Sequence, residues 1–225
     1  MDILDRHEVF EIEILDRLNS AKLLDPLVFG GGTMLRLCHE LNRYSVVLDF
    51  WFIRKTAQKA FLGKLIELLG QGYEITDAQV KRFTLLIEVR TGNYPKRLKI
   101  EIRRDLKECD YQTKIAFSRF STKQVLLKAH SLEQTMKNKI EALLSRGEIR
   151  DCFDIEFMLR RGTDLPVLSV KQLGELRKRA AGFKNADFKV KLGSIVDVGA
   201  RAYYVQNRFN YLIERLNAIA SSVER

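Results

Sequence analysis

The 225 residues suffice for one medium domain or two small ones, and a chain 46% hydrophobic and 30% charged has an ordinary globular balance. No apolar run approaches the roughly 20 residues of a membrane-spanning helix, and the acidic, amphipathic start MDILDRHEVFEIEILDRL is no secretory signal, so a cytoplasmic protein with no membrane partner is expected. Three distant cysteines, Cys38, Cys109 and Cys152, exclude a disulfide framework and read as buried thiols, while a net charge of +10 fits nucleic acid or nucleotide partners as well as a plain basic surface.

Apolar residues recur at helical spacing from Asp2 to about Ala21. Asp25-Pro26 breaks that pattern, Leu27-Val28-Phe29 reads as a very short strand, Gly30-Gly31-Gly32-Thr33 follows, and a helix opens at Met34. Val46 to Phe52 is an apolar run interrupted only by Asp49, which suits a strand buried on both faces. Ala57 to Leu69 is helical, stopped by Gly70 and Gly72. Phe83 to Val89 and Leu98 to Ile102 read as strands joined by the turn Thr91-Gly92-Asn93-Tyr94-Pro95. Beyond His130 the pattern turns helical: Ser131 caps a helix to about Ser145, a second covers Ile149 to Leu159, and the rest looks helical through Ser221. The expected organisation is an α/β domain over residues 1–128 and a helical domain over 129–225.

Three features bear on chemistry. Glycines between a strand and a helix let the backbone approach a phosphate, with the helix start attracting the anion, although no Gly-Lys-Ser/Thr follows to make a P-loop. An acid within an apolar strand, Asp49, is costly unless it is paired or holds a metal. The segment Lys139 to Asp154 places Lys139 and Leu143 on one helical face, and Arg150 and Asp154 on another.

Taken in order, Gly31-Gly32-Thr33 before a helix, Arg43-Tyr44-Ser45 ahead of an acidic strand, and Lys139…Arg146-Gly147…Arg150-Asp151-Cys152-Phe153-Asp154 resemble the AbiEii/AbiGii-type nucleotidyltransferases. These are toxins of bacterial toxin–antitoxin and abortive-infection systems, and the MenT enzymes are similar. The resemblance covers about Phe29 to Leu159. It implies an α/β (α+β) fold: a polymerase-β-like nucleotidyltransferase domain with a mixed sheet and flanking helices, followed by a helical C-terminal domain. It further implies transfer of a nucleotide from an NTP to an RNA (the acceptor end of tRNA in several members), Mg²⁺ as cofactor, and a cognate antitoxin as partner.

Carried over by position, Gly31, Gly32 and Thr33 match the nucleotide-phosphate loop, and Arg43 and Ser45 match the residues preceding the metal strand. Asp49 and Glu101 match metal-binding acids, Lys139 matches a catalytic cation, and Arg146, Asp151 and Asp154 match the rest of the nucleotide-binding set. One position departs. Val47 stands where the family has the first acid of its Asp-x-Asp, and valine cannot ligate a metal. Two readings follow: a transferase whose activity is weakened or lost at Val47, or a non-catalytic module of the same fold that binds nucleotide, RNA or antitoxin. Part of the basic stretch Lys171 to Arg215, with Arg177, Lys178 and Arg179, is expected to face RNA.

Overall fold

Asp2 caps the first helix, α1 (Ile3–Ser20), by accepting hydrogen bonds from the Leu4 and Asp5 amides while its own amide donates to Asp5. Strand β1 (Leu27–Gly30) passes directly into α2 (Gly31–His39). The helix therefore begins three residues before Met34, and the glycines form its first turn rather than a preceding loop. Gly31 takes φ +75°, and a Cβ there would strike the Asp49 carboxylate, so both conformation and space demand glycine.

The computed structural model describes residues 1–223, which fall into two units: residues 1–40 with 44–131, and residues 41–43 with those from 132 onward. In the first unit follow β2 (Val47–Phe52), α3 (Gln58–Gly70), β3 (Glu74–Val80), β4 (Thr84–Arg90), β5 (Leu98–Arg103), β6 (Tyr111–Phe117) and β7 (Gln124–His130). The strands make one mixed sheet in the order β3-β4-β5-β2-β1-β7-β6. β2 runs parallel to β5 and β1 parallel to β7, and the remaining neighbours are antiparallel.

Alternation along the strands builds the core. Leu48, Phe50 and Phe52 of β2 and Ile100 and Ile102 of β5 are buried, and Phe61 of α3 meets Phe52 edge-on at 5.3 Å. Each such side chain contributes about 1.5–3 kcal/mol by leaving water. Strand β2 differs from the expected doubly buried run: Val47, Asp49 and Trp51 point the other way and are only half-buried. Asp49 thus stands on a half-exposed face, where a carboxylate costs far less than in a sealed core. Strands β3, β6 and β7 have no counterpart in the sequence reading. The first two are the edge strands and carry mostly exposed residues, so the apolar signal that betrays a buried strand is weak in both.

The second unit contains α4 (Leu132–Arg146), α5 (Ile149–Arg160), α6 (Val170–Gly182), a π-helical segment (Asp187–Leu192), α7 (Val198–Asn207) and α8 (Asn210–Val223). Phe153, Phe188, Tyr204 and Phe209 form its aromatic core, with Phe153 and Tyr204 centred 4.9 Å apart and Phe188 and Phe209 5.3 Å apart. Within that core the buried Glu156 carboxylate accepts from Arg160, the Tyr204 hydroxyl and the Leu212 amide. The three cysteines are free, but only Cys152 is fully buried, while Cys38 and Cys109 are half-buried. Among the described residues no helix is long and apolar enough to cross a membrane.

Candidate active site

Asp49 lies mid-strand in β2, in register with Gly30 of β1 and with Glu101 of β5. Register partners on adjacent strands project to the same face, so the two carboxylates stand side by side, on backbones about 4.8 Å apart. Both are half-buried. Val47 and its partner Lys99 occupy the same face one pleat earlier. The first turn of α2 closes on this spot, because Gly31 abuts the Asp49 side chain. Thr33 is fully buried, and its hydroxyl donates to the Val47 carbonyl at 2.7 Å, tying that first turn to the strand that carries Asp49. Gly30 serves a second close approach: a Cβ there would lie 2.6 Å from both His130 and Trp51, whose rings are centred 4.7 Å apart. Burial pushes the His130 imidazole down to about 4, so it is neutral at physiological pH.

The donor set can be weighed against an ion. Among the described residues no three His, Cys, Asp or Glu side chains converge as a metal cage. Mg²⁺ does not need one, since it keeps several waters and is bound through one or two carboxylates together with substrate phosphates. Asp49 and Glu101 fit that requirement for a single ion. They do not by themselves make a site built on three acids.

The other motif residues gather in the second unit. Arg43 belongs there through residues 41–43, and its guanidinium grips Asp154 in a bidentate pair, with Nε and Nη2 each 2.6 Å from a carboxylate oxygen. Lys139 lies 2.6 Å from Asp154 and 3.2 Å from Asp151, and Arg146 forms a second bidentate pair with Asp151 at 2.7 Å. Both aspartates are fully buried, Arg43 and Lys139 nearly so, and only Arg146 is substantially exposed, at 46%. Burial alone would raise the Asp154 carboxyl, but Arg43 and Lys139 outweigh it and hold the group below the usual carboxylate range. Arg150 lies one turn before Asp154 on α5, as the i, i+4 spacing implies, but is exposed. The sequence could not show the true partner, Arg43, which is 111 residues away. Ser45, half-buried ahead of β2, joins neither group by a hydrogen bond.

A mixed sheet that presents paired carboxylates beside a glycine-rich helix start, in a chain continuing into a helical unit, defines a protein of the nucleotidyltransferase fold. The family model described as "Nucleotidyl transferase AbiEii toxin, Type IV TA system" matches residues 13–208, and the chain belongs to that family. Two solved structures share the fold. A candidate nucleotidyltransferase from H. pylori is 21% identical with a TM-score of 0.57, covering 94% of this chain and 97% of its own. MenT4, a nucleotidyltransferase toxin from Mycobacterium tuberculosis H37Rv, is 16% identical with a TM-score of 0.58, covering 92% of this chain and 84% of its own. Among curated proteins none matches significantly.

Proposed function

We propose that this protein transfers a nucleotide from an NTP to an RNA acceptor, tRNA first among them, with one Mg²⁺ held by Asp49 and Glu101. The observation that carries the reading is the register of those two acids on one face, with the first turn of α2 against Asp49. A bound Mg²⁺ would supply charge neutralisation at the reacting phosphate. The chain's own contribution is placement: Gly31 brings the first turn of α2 against Asp49, and Thr33 holds that turn in register with β2. Within the helical unit, Arg146 carries the accessible positive charge, while Lys139 is buried between Asp151 and Asp154. Membership of a type IV toxin–antitoxin family implies an antitoxin that counters the activity.

Val47 supports a second reading, in which the fold binds nucleotide, RNA or antitoxin without turnover. Incubating the protein with tRNA, Mg²⁺ and each α-labelled NTP, beside Val47→Asp and Asp49→Asn, separates the two. Label transferred by the parent and lost in Asp49→Asn and on chelation supports the transferase. Label from Val47→Asp alone means a site disarmed at one ligand, and silence from both leaves the binding module.

A further inference from the structure

Strands β2 and β5 run parallel, so their C-terminal ends emerge together, and the β3–β4 hairpin turns at the same end of the sheet. There Arg103 is in register with Trp51 and Thr84, the Arg104 amide donates to the Phe83 carbonyl, and the Lys81 amide donates to Thr84. The Arg104 guanidinium bonds the Lys81 and Arg82 carbonyls through one end and the Gln58 amide through the other, fastening the hairpin turn to the start of α3. The three segments so joined, residues 53–59, 81–84 and 103–105, carry Arg54, Lys55, Lys59, Lys81, Arg82, Arg103 and Arg104 against one acid, Asp105.

Six of these cations are exposed, Arg104 being half-buried, and among the described residues none of the six makes an ion pair. Some other surface cations are paired, Arg90 with Glu74, Arg97 with Glu88 and Lys191 with Asp187. Unpaired cations crowded at one place repel one another and favour a polyanion that relieves them. In their midst Phe83 is 54% exposed, with the Arg82 guanidinium 5.0 Å from its ring centre. An exposed aromatic ring with a flanking arginine can stack an unpaired base. Arg103 lies two residues beyond Glu101 on the same face of β5, so the patch leads directly to the paired carboxylates.

We infer that this end of the sheet is the docking surface for the single-stranded end of an RNA, with Lys81, Arg82 and Arg103 on its phosphates and Phe83 stacked on a base. The inference rests on the RNA-acceptor reading above. The surface differs from the basic stretch Lys171 to Arg215 that the sequence alone suggested, where part of the charge is spent in pairs such as Arg179 with Glu175.

The test is fluorescence anisotropy with a labelled single-stranded RNA of roughly 12 nucleotides, within the span that basic grooves track. The parent is compared with Lys81→Glu/Arg82→Glu/Arg103→Glu, with the same three positions changed to Gln, with Phe83→Ala, and with Arg177→Glu/Lys178→Glu/Arg179→Glu. All three positions are exposed, and the Gln version, checked by its thermal midpoint, guards against misfolding. Expected are at least ~30-fold weaker binding on charge reversal and a log–log salt slope lower by about 2 in the Gln version, three lost contacts at ~0.7 each. Phe83→Ala is expected to weaken binding roughly tenfold. Unchanged RNA affinity in both triple variants overturns the assignment. If affinity then falls in the Arg177 set, the RNA reading survives and only the location is wrong. A parent that transfers label to another acceptor yet binds no RNA removes the RNA reading itself. Loss confined to phosphatidylserine vesicles, with RNA binding intact, overturns the proposal in favour of a membrane surface.

Discussion

Replacing Asp154 with alanine probes whether the buried charge network holds the second unit together. Asp154 is fully buried and receives three charge-assisted contacts at 2.6 Å, two from Arg43 and one from Lys139. Its removal leaves Arg43, 2% exposed, without that carboxylate, while Lys139 keeps Asp151. Opening a buried ion pair from one side costs roughly 3–5 kcal/mol. At about 2–4 °C per kcal/mol for a chain of this size, the thermal midpoint should fall by about 6–20 °C. Asp154→Asn keeps an acceptor but not the charge and should lie between parent and Ala. The folded carboxyl is held below its ordinary value, so its stabilisation is present above that value and lost as pH falls through the folded one. The gap between parent and Asp154→Asn should therefore close below about pH 4. Circular dichroism melts across pH measure both effects. An Ala variant melting within about 2 °C of the parent at pH 7 would refute the reasoning, since so small a shift is under the ~1 kcal/mol of an ordinary substitution.

Gly31→Ala should cost about 1–2 kcal/mol in urea unfolding, because the residue has φ +75° and its Cβ would meet the Asp49 carboxylate; an unchanged midpoint would place the strain elsewhere. His7 is buried beside the Val46 carbonyl, and burial pushes its imidazole down to about 4. Stability should thus decline as pH falls from 6.5 toward 4, by up to ~3 kcal/mol, and His7→Asn should flatten that slope; parallel profiles would dismiss it. Glu11 has the opposite sign: burial raises its carboxyl well above the ordinary value, so the fold loses stability as pH rises past about 4.5. Glu11→Gln should accordingly be more stable than the parent at pH 7 by differential melting, and a loss there would mean the carboxylate is needed charged.

The sequence was most legible where chemistry and local pattern coincide. Gly31, Asp49 and the strand and helix around them could be read because strand–glycine–helix order and a lone acid are local signals. Helices α4 and α5 were legible from their apolar period and the intervening Gly147, which takes φ +67° at the break. The face of Asp49 was misread, because Val47 and Trp51 look apolar in one dimension and only the pleat assigns them to a half-exposed side. Strands β3 and β6 escaped notice because edge positions tolerate Glu74, Asp77, Gln112 and Lys114, which a central strand would not. The Arg43–Asp154 pair and the cation cluster around Phe83 lay beyond reach for another reason. Each is assembled from segments distant in sequence, and no periodicity encodes which loops meet.

The short stretch 41–43 has a consequence for how this chain can be dissected. Since those residues belong with the helical unit while their neighbours on both sides belong to the sheet unit, the chain crosses between units three times, not once. A cut after Ser131 would not release an intact sheet fragment. It would leave Arg43, in the middle of the link from α2 to β2, without the buried carboxylate that receives it. The two elements that bring Gly31 to Asp49 are thus joined by a tether whose anchor is made far downstream. A chain truncated before α5 should therefore keep the Gly30–Asp49 register and the Thr33–Val47 hydrogen bond but leave the link from α2 to β2 without its anchor.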